Sequence, residues 1–180
     1  LEEFVKLYPN TISADEAQEV LTDIFLTTKD YKNALRVIET ARIKSPKIKQ
    51  AHQKVAYYRG VEQFNDKKFD EAIKSFDNSL NNPIDAVLQA LCHYWKGEIY
   101  FEKEDFPNAI SSFNQFIALA KLTKELPNEV SIGNANYSLG YCYLKQKNYG
   151  NALTYFNTAI SLLESSKTTP SALTDKQILA

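Results

Sequence analysis

The chain has 180 residues and a formal net charge of −1, with 21 basic side chains against 22 acidic ones. This balance argues against nucleic acid or an anionic membrane as the main partner. Two cysteines and two histidines are too few for a disulfide framework or a His-rich metal site. No apolar run approaches the roughly 18 residues of a membrane-spanning helix. The sequence contains no methionine, so we expect a processed chain or a fragment of a longer protein.

The chain opens with residues 1–10, which read as the last turns of a helix that ends at Pro9-Asn10. Beyond them, an aromatic residue, an alanine, an aliphatic residue and a further apolar residue recur at positions i, i+3, i+4 and i+7. The four copies are Tyr31-Ala34-Leu35-Ile38, Phe69-Ala72-Ile73-Phe76, Phe106-Ala109-Ile110-Phe113 and Tyr149-Ala152-Leu153-Phe156. This spacing places one apolar stripe on an α-helix. We therefore predict four helices. We expect six of their aromatic residues to lie in the core: Phe69, Phe76, Phe106, Phe113, Tyr149 and Phe156.

A second helix precedes each of these stripes. Gly60, Gly97 and Gly140 each stand twelve residues before the alanine of a stripe, and Thr22 takes that place in the first copy. Small residues at facing positions predict that two antiparallel helices pack closely. The intervening polar segments are residues 27–30, 65–68, 102–105 and 145–148. They are too short for a strand crossover and are typical of a helical hairpin.

These residues resemble the tetratricopeptide repeat (TPR), a helix–turn–helix unit of about 34 residues. The resemblance implies an all-α fold, a right-handed α-α superhelix of about four repeats in a single domain. We expect these repeats at approximately residues 14–46, 47–83, 84–125 and 127–165. Residues 1–10 would end a preceding repeat, and residues 166–180 would form a tail in which Thr174–Ala180 begins a further helix.

The repeat alanines are separated by 38, 37 and 43 residues, which exceeds the usual unit. The largest excess falls between Phe113 and Gly140. It predicts a longer second helix in the third hairpin, a longer first helix in the fourth, or both.

In this family the first helix of each hairpin lines a concave groove that binds peptides. Counting from the glycines places nine candidate partner-binding residues in that groove. They are Lys54, Tyr57, Tyr58, Tyr94, Trp95, Glu98, Asn134, Tyr137 and Tyr141. Tyrosine and tryptophan offer a large contact area with a polar atom, which suits recognition. Aromatic residues at helical spacing also pack in cores, so for Tyr57, Tyr58, Tyr94 and Trp95 both interpretations stay open.

The family's carboxylate clamp, which binds acidic peptide tails, uses lysine and asparagine at fixed groove positions. Here Tyr57 and Val61 stand at those positions, and Trp95 follows in the next hairpin. We therefore do not expect a partner of that kind. The expected partner is a protein or peptide rather than nucleic acid, and the oligomeric state is open.

Two other features have weaker functional interpretations. Residues 29–54 carry eight basic side chains against two acidic ones, whereas residues 1–28 carry six acidic against one basic. Such runs are usually solvated helix faces. Cys92 and His93 are adjacent, but neighbours on a helix point about 100° apart. We therefore expect no enzyme, no cofactor and no metal.

The leading hypothesis is a non-catalytic protein-interaction scaffold. The alternative is a structural spacer or docking segment of a larger envelope-associated assembly, with its groove filled by a neighbouring chain or by its own tail. The sequence Tyr8-Pro9-Asn10 loosely resembles repeat junctions of bacterial envelope proteins. The bacterial cell envelope or periplasm is the favoured location, and the cytoplasm is the alternative.

Overall fold

The computed structural model describes residues 1–41, 45–123, 126–127 and 130–166. The tail predicted at 166–180 lies outside this part, except for Ser166. Within the described ranges the regular elements are α-helices, without a strand. The helices are α1 (Glu2–Leu7), α2 (Ile12–Thr27), α3 (Tyr31–Thr40), α4 (Pro46–Asn65), α5 (Phe69–Leu80), α6 (Ala86–Glu102), α7 (Phe106–Ala120), α8 (Ile132–Lys145) and α9 (Tyr149–Ser166).

Helices α2 to α9 form four antiparallel hairpins, α2–α3, α4–α5, α6–α7 and α8–α9, each stacked on the next. The first member of each hairpin is called its A helix and the second its B helix. Consecutive A helices approach one another, whereas no two B helices of the described chain do. When neighbouring A helices lie closer together than neighbouring B helices, the stack curves, and the A helices lie on its inner side. The architecture is the helical-repeat superhelix that the sequence predicts.

The hairpin turns share one backbone design. Three residues separate the two helices, and the middle one has a positive φ of 58–60° at Lys29, Lys67, Glu104 and Lys147. In the second hairpin the Lys67 N–H donates to the Phe64 carbonyl at 2.9 Å and the Lys68 N–H to the Gln63 carbonyl at 2.8 Å. This is the Schellman ending of a helix, in which a left-handed residue turns the chain.

The third turn residue also starts the next helix. Asp30, Asp105 and Asn148 each accept the backbone N–H three residues further on, at 3.3, 3.3 and 3.2 Å. Such a side-chain cap satisfies one of the free donors at a helix start. Lys68 stands at the same place in α5 and makes no cap bond. This hairpin therefore lacks a stabilising contact that its neighbours have.

The predicted close packing of the A and B helices is confirmed. A Cβ added to Gly60 would lie 2.6 Å from a Phe76 ring carbon, and one added to Gly97 would lie 2.7 Å from Phe113. Phe76 and Phe113 are completely buried. The core prediction is wrong for Tyr149, which is 64% exposed, because no described helix packs over that side of α9.

The extra residues between the third and fourth repeat alanines do not lengthen both of the helices that lie between them. Helix α7 has 15 residues against 12 in α5, but α8 has 14 against 17 in α6. The remaining excess lies in the connection 121–131, where Val130 is buried. The prediction of a longer A helix in the fourth hairpin is therefore wrong.

The earlier connection, from α5 to α6, is held by one buried amide. Oε1 of Gln53 accepts the backbone N–H groups of Ile84 and Asp85 at 3.1 and 2.8 Å. Its Nε2 donates to the Asp85 carbonyl at 2.9 Å. Because Gln53 belongs to α4 and is completely buried, these bonds attach the third hairpin to the second.

Two basic residues of the run 29–54 pair with acidic residues of the run 1–28. Lys47 of α4 lies 3.1 Å from Asp23 and 3.6 Å from Glu19 of α2, and Arg36 of α3 lies 3.0 Å from Glu2. These contacts join neighbouring elements, so the pairing favours the interpretation as solvated helix faces.

Candidate functional site

A pocket of about 410 Å³ opens between the A helices α6 and α8. Its lining residues are Tyr94, Glu98, Phe101, Gly133, Asn134, Tyr137, Ser138, Tyr141 and Leu163. Five of them are among the nine residues predicted from the sequence. The pocket lies on the A-helix side of the stack, and Leu163 of α9 contributes to its wall.

Helical spacing brings these side chains together. Tyr94, Glu98 and Phe101 follow one another on α6 at i, i+4 and i+7, and Asn134, Ser138 and Tyr141 do so on α8. Positions three and four residues apart share one helix face. The two faces meet because α6 and α8 belong to consecutive hairpins that contact each other.

Glu98 is the charged group of the pocket. The Ser138 hydroxyl is 3.4 Å from its Oε1, in donor position. Burial raises the pKa of the Glu98 carboxyl to about 7, opposed by the Ser138 hydrogen bond and reinforced by the nearby Glu102. The ion pairs formed within the described chain do not include Glu98. Its negative charge therefore lacks a cation in the part that the structure describes.

Tyrosine rings form the aromatic wall of the pocket. The rings of Tyr137 and Tyr141 are 5.0 Å apart and steeply inclined, and both meet the ring of Phe156 edge-on, at 5.8 and 5.4 Å. Hydrogen bonding to Tyr141, followed by burial, raises the pKa of Tyr137. Tyr137 nevertheless remains 38% exposed. Phe156 thus supports two rings that solvent can still reach.

Tyr94 closes the inner side of the pocket. Its ring packs edge-on against Phe113 and Phe116, at 6.1 and 5.1 Å, and is only 6% exposed. Burial raises the pKa of its hydroxyl, the charge of Glu98 adds to this, and a hydrogen bond with Asn134 opposes it. Most of the Tyr94 ring belongs to the core, and its edge faces the pocket.

The remaining predicted residues lie on α4 and at its contact with α6. The Trp95 indole N–H donates to the Tyr57 hydroxyl at 3.3 Å, and Tyr57 is only 8% exposed. Tyr58 is 36% exposed and stacks on Tyr31 at 5.4 Å. Lys54 is exposed and does not line the pocket. Of the four aromatics left open by the sequence, Tyr57 and Tyr94 thus lie mainly in the core, Trp95 is partly buried and Tyr58 is exposed.

Four lining residues are not among the nine candidates: Phe101, Gly133, Ser138 and Leu163. Phe101 lies three positions after Glu98, so extending the groove stripe by one turn could have found it. Leu163 belongs to the B helix α9. Its place depends on how the two helices of the fourth hairpin cross, which residue spacing does not encode.

Burial disfavours a nucleophilic role for the Cys92–His93 pair. Burial raises the pKa of the Cys92 thiol to about 12 and lowers the pKa of His93. The thiol therefore stays protonated at neutral pH, and a protonated thiol is a poor nucleophile. Neither side chain lines the pocket between α6 and α8.

The described residues contain no group of three or more side chains that could together hold a metal ion. None of the helices in the described ranges combines the length and apolar character needed to cross a membrane.

Comparison with known proteins agrees with the helical-repeat fold. Models of the tetratricopeptide repeat match residues 90–121 and 133–166, which lie in the third and fourth hairpins. No curated protein matches the sequence. A crystal structure of MamA protein is 17% identical, with a TM-score of 0.57 over 96% of this chain and 84% of that one. MamA from Desulfovibrio magneticus RS-1 is 16% identical, with a TM-score of 0.52 over 87% of this chain and 78% of that one.

A third solved structure, BtubC (BKLC) from P. vanneervenii, is 14% identical, with a TM-score of 0.54 over 93% of this chain and 70% of that one. At these identities the structural likeness concerns the fold alone. The repeat matches fall on hairpins whose turns and glycine–phenylalanine contacts recur along the chain. The chain thus carries tetratricopeptide repeats in its third and fourth hairpins.

Proposed function

We propose that this chain binds a peptide or protein segment in the groove lined by its A helices, and that it has no catalytic role. Tetratricopeptide repeats support a protein-interaction scaffold in general. The observation that carries the groove proposal is the pocket between α6 and α8, which gathers Tyr94, Glu98, Asn134, Tyr137 and Tyr141.

The exposed aromatic area would provide the affinity. Tyr58 and Tyr137 retain more than a third of their surface in water. Burying apolar surface contributes about 25 cal/mol per Å², and tyrosine loses little conformational entropy on binding. Asn134, Glu98 and Lys54 would set the register of the bound segment through polar contacts.

A structural role is the second candidate, favoured by one surface of α9. Tyr149, Leu153 and Ile160 are exposed there. They stand where Phe69, Ile73 and Leu80 of α5 are partly buried against the core. This apolar stripe could dock another segment, which would make the chain a spacer in a larger assembly.

Affinity capture with exposed-tyrosine variants separates the two candidates. The baits are the parent chain, a Tyr58→Ala/Tyr137→Ala variant and a Tyr149→Ala control, all checked for helicity by circular dichroism. Replacing Tyr57 or Tyr94 is avoided, because both rings are buried and their loss would destabilise the fold. A photo-crosslinking residue in place of Tyr137 then identifies which captured protein lies in the groove.

We expect partners that are lost with the double variant, retained by the Tyr149→Ala control and crosslinked from position 137. An unchanged partner set with a folded double variant would contradict the groove proposal. Loss confined to Tyr149→Ala would favour docking on α9 instead.

A further inference from the structure

Among the described residues, no cation pairs with the carboxylate of Glu98. The Ser138 hydroxyl is a distant donor at 3.4 Å, and the neighbouring charge, Glu102, has the same sign. By contrast, Asp23 and Glu19 share Lys47, and Asp77 pairs with Lys96 at 2.5 Å. Burying a carboxylate without a cation is costly. A ligand that brought a positive charge would remove that cost.

The walls around Glu98 suit a cation. Rings of Tyr94, Phe101, Tyr137 and Tyr141 line the same pocket, and a cation near an aromatic ring face is attracted by its quadrupole. The volume of about 410 Å³ falls within the roughly 300–1,000 Å³ of ligand pockets, which leaves room for a long side chain. An acidic group would be repelled by both Glu98 and Glu102, and an apolar group would leave the carboxylate unpaired.

We propose that the pocket between α6 and α8 receives a lysine or arginine side chain of the bound segment, with Glu98 as its counter-charge and Tyr137 and Tyr141 as its aromatic walls. This inference rests on the proposed groove function and adds the chemistry of the partner. It is opposite in sign to the carboxylate clamp, whose groove cations bind acidic tails.

The titratable groups around Glu98 allow the cation to act mainly through that residue. Glu102 lies one turn further along α6, Tyr94 lies one turn before, and Tyr141 and Cys142 lie on α8. Burial raises the pKa of Cys142 to about 12 and also raises the pKa of Tyr94. Both therefore remain neutral near pH 7. Of the two glutamates only Glu98 lines the pocket, so the charge that a ligand meets there is mainly that of Glu98.

The test is an NMR titration of the full chain with three small probes. They are N-acetyl-arginine methylamide, its uncharged citrulline analogue and its glutamate counterpart. Aromatic ring resonances of Tyr137 and Tyr141 report binding, at a pH above 7 where Glu98 is ionised. The variants are Glu98→Gln and the matched control Glu102→Gln, which removes the same charge one turn away.

We expect the arginine probe to shift both tyrosines and to bind about tenfold more tightly than the citrulline probe, since a charge-assisted contact is formed. Glu98→Gln should reduce that preference to about threefold or less, the remainder coming from the aromatic rings. Glu102→Gln should retain most of it. The glutamate probe should bind more weakly than both.

Equal binding of arginine and citrulline would overturn the proposal. An arginine preference that is unchanged in Glu98→Gln would also overturn it. So would the absence of tyrosine shifts at the highest soluble probe concentration. Changed tyrosine resonances in Lys167→Gln/Lys176→Gln, without any probe, would assign the pocket to the chain's own tail and also overturn it. The probes need no partner protein. If arginine binds but no partner depends on the groove, only the proposed function is contradicted. If a partner depends on the groove but arginine does not bind, only this inference is contradicted.

Discussion

Replacing Gly97 by alanine tests the contact that recurs in the hairpins. An alanine Cβ would lie 2.7 Å from both Cδ1 and Cε1 of Phe113 and 3.0 Å from its Cγ, well inside van der Waals contact. The Phe113 ring is completely buried, with Tyr94 packed edge-on at 6.1 Å. Accommodating the methyl group therefore requires the buried ring or the helix to shift.

Two opposing effects set the magnitude. Overpacking a well-packed core costs about 1–3 kcal/mol, and a methyl group this close to a buried ring belongs at the upper end. Alanine is favoured over glycine inside a helix by about 1 kcal/mol. We therefore expect Gly97→Ala to lower the free energy of unfolding by about 2 kcal/mol.

Gly150→Ala is the matched control. Gly150 lies near the start of α9, and no atom stands within 4 Å of the added Cβ. Helix propensity alone should then raise the free energy of unfolding by about 0.5–1 kcal/mol. Urea unfolding followed by circular dichroism measures both variants, with the slope m checked because repeat arrays can unfold in parts.

Opposite signs for the two variants are the expected outcome. If Gly97→Ala stabilised the protein as Gly150→Ala does, the close approach of α6 and α7 would not be the reason for glycine. A double-mutant cycle adds a second check: in a Phe113→Leu background, where the ring is gone, Gly97→Ala should cost at least about 0.5 kcal/mol less.

Three further changes have directions that follow from the structure. Lys68→Asp should raise the free energy of unfolding by about 1 kcal/mol in urea, because it supplies the side-chain cap that α5 lacks. Gln53→Ala should lower it by about 3 kcal/mol, because the buried N–H groups of Ile84 and Asp85 lose their acceptor. Glu98→Gln should become more stable than the parent as pH rises from about 5 to 8. The folded pKa of about 7 lies above the ordinary 4.5, so the parent loses up to about 3 kcal/mol as Glu98 ionises.

Each of these predictions has a control. Lys68→Ala removes the ion pair with Asp66 without adding a cap. If it raised the free energy of unfolding as much as Lys68→Asp does, capping would not be the cause of the gain. A loss below about 1 kcal/mol for Gln53→Ala would mean that water replaces the amide. A stability difference between parent and Glu98→Gln that stays flat from pH 5 to 8, or one shared by Glu102→Gln, would contradict the assigned burial of Glu98.

The local sequence determined the hairpins, because their pattern needs only neighbours on one helix and a short turn. Apolar residues at i, i+3, i+4 and i+7 make one face of a helix wherever it packs. The glycine twelve residues before three of the four alanines identified the A-helix position that meets a B-helix phenylalanine. This pairing recurs at Gly60, Gly97 and Gly140, since the intervening turn has the same length each time.

The tertiary structure decided which aromatic residues remain exposed. Tyr57 and Tyr58 are adjacent, yet one is buried and the other stacks on Tyr31 at the surface. A step of one residue rotates a side chain by about 100° around the helix, so a small error in register exchanges their roles. Tyr149 repeats the pattern of Phe69 and is exposed, because burial depends on the next helix and not on the residue's own spacing.

The same reason applies to the candidate site. Helical spacing grouped Tyr94 with Glu98, and Asn134 with Tyr137 and Tyr141, within their own helices. The approach of α6 to α8 joined the two groups, and the crossing of α9 added Leu163. Burial of Glu98 away from any described cation, which raises its pKa to about 7, arises only when these helices meet. Sequence spacing thus determined which residues share a face, whereas the packing of distant helices determined which faces form a pocket and what charge it holds.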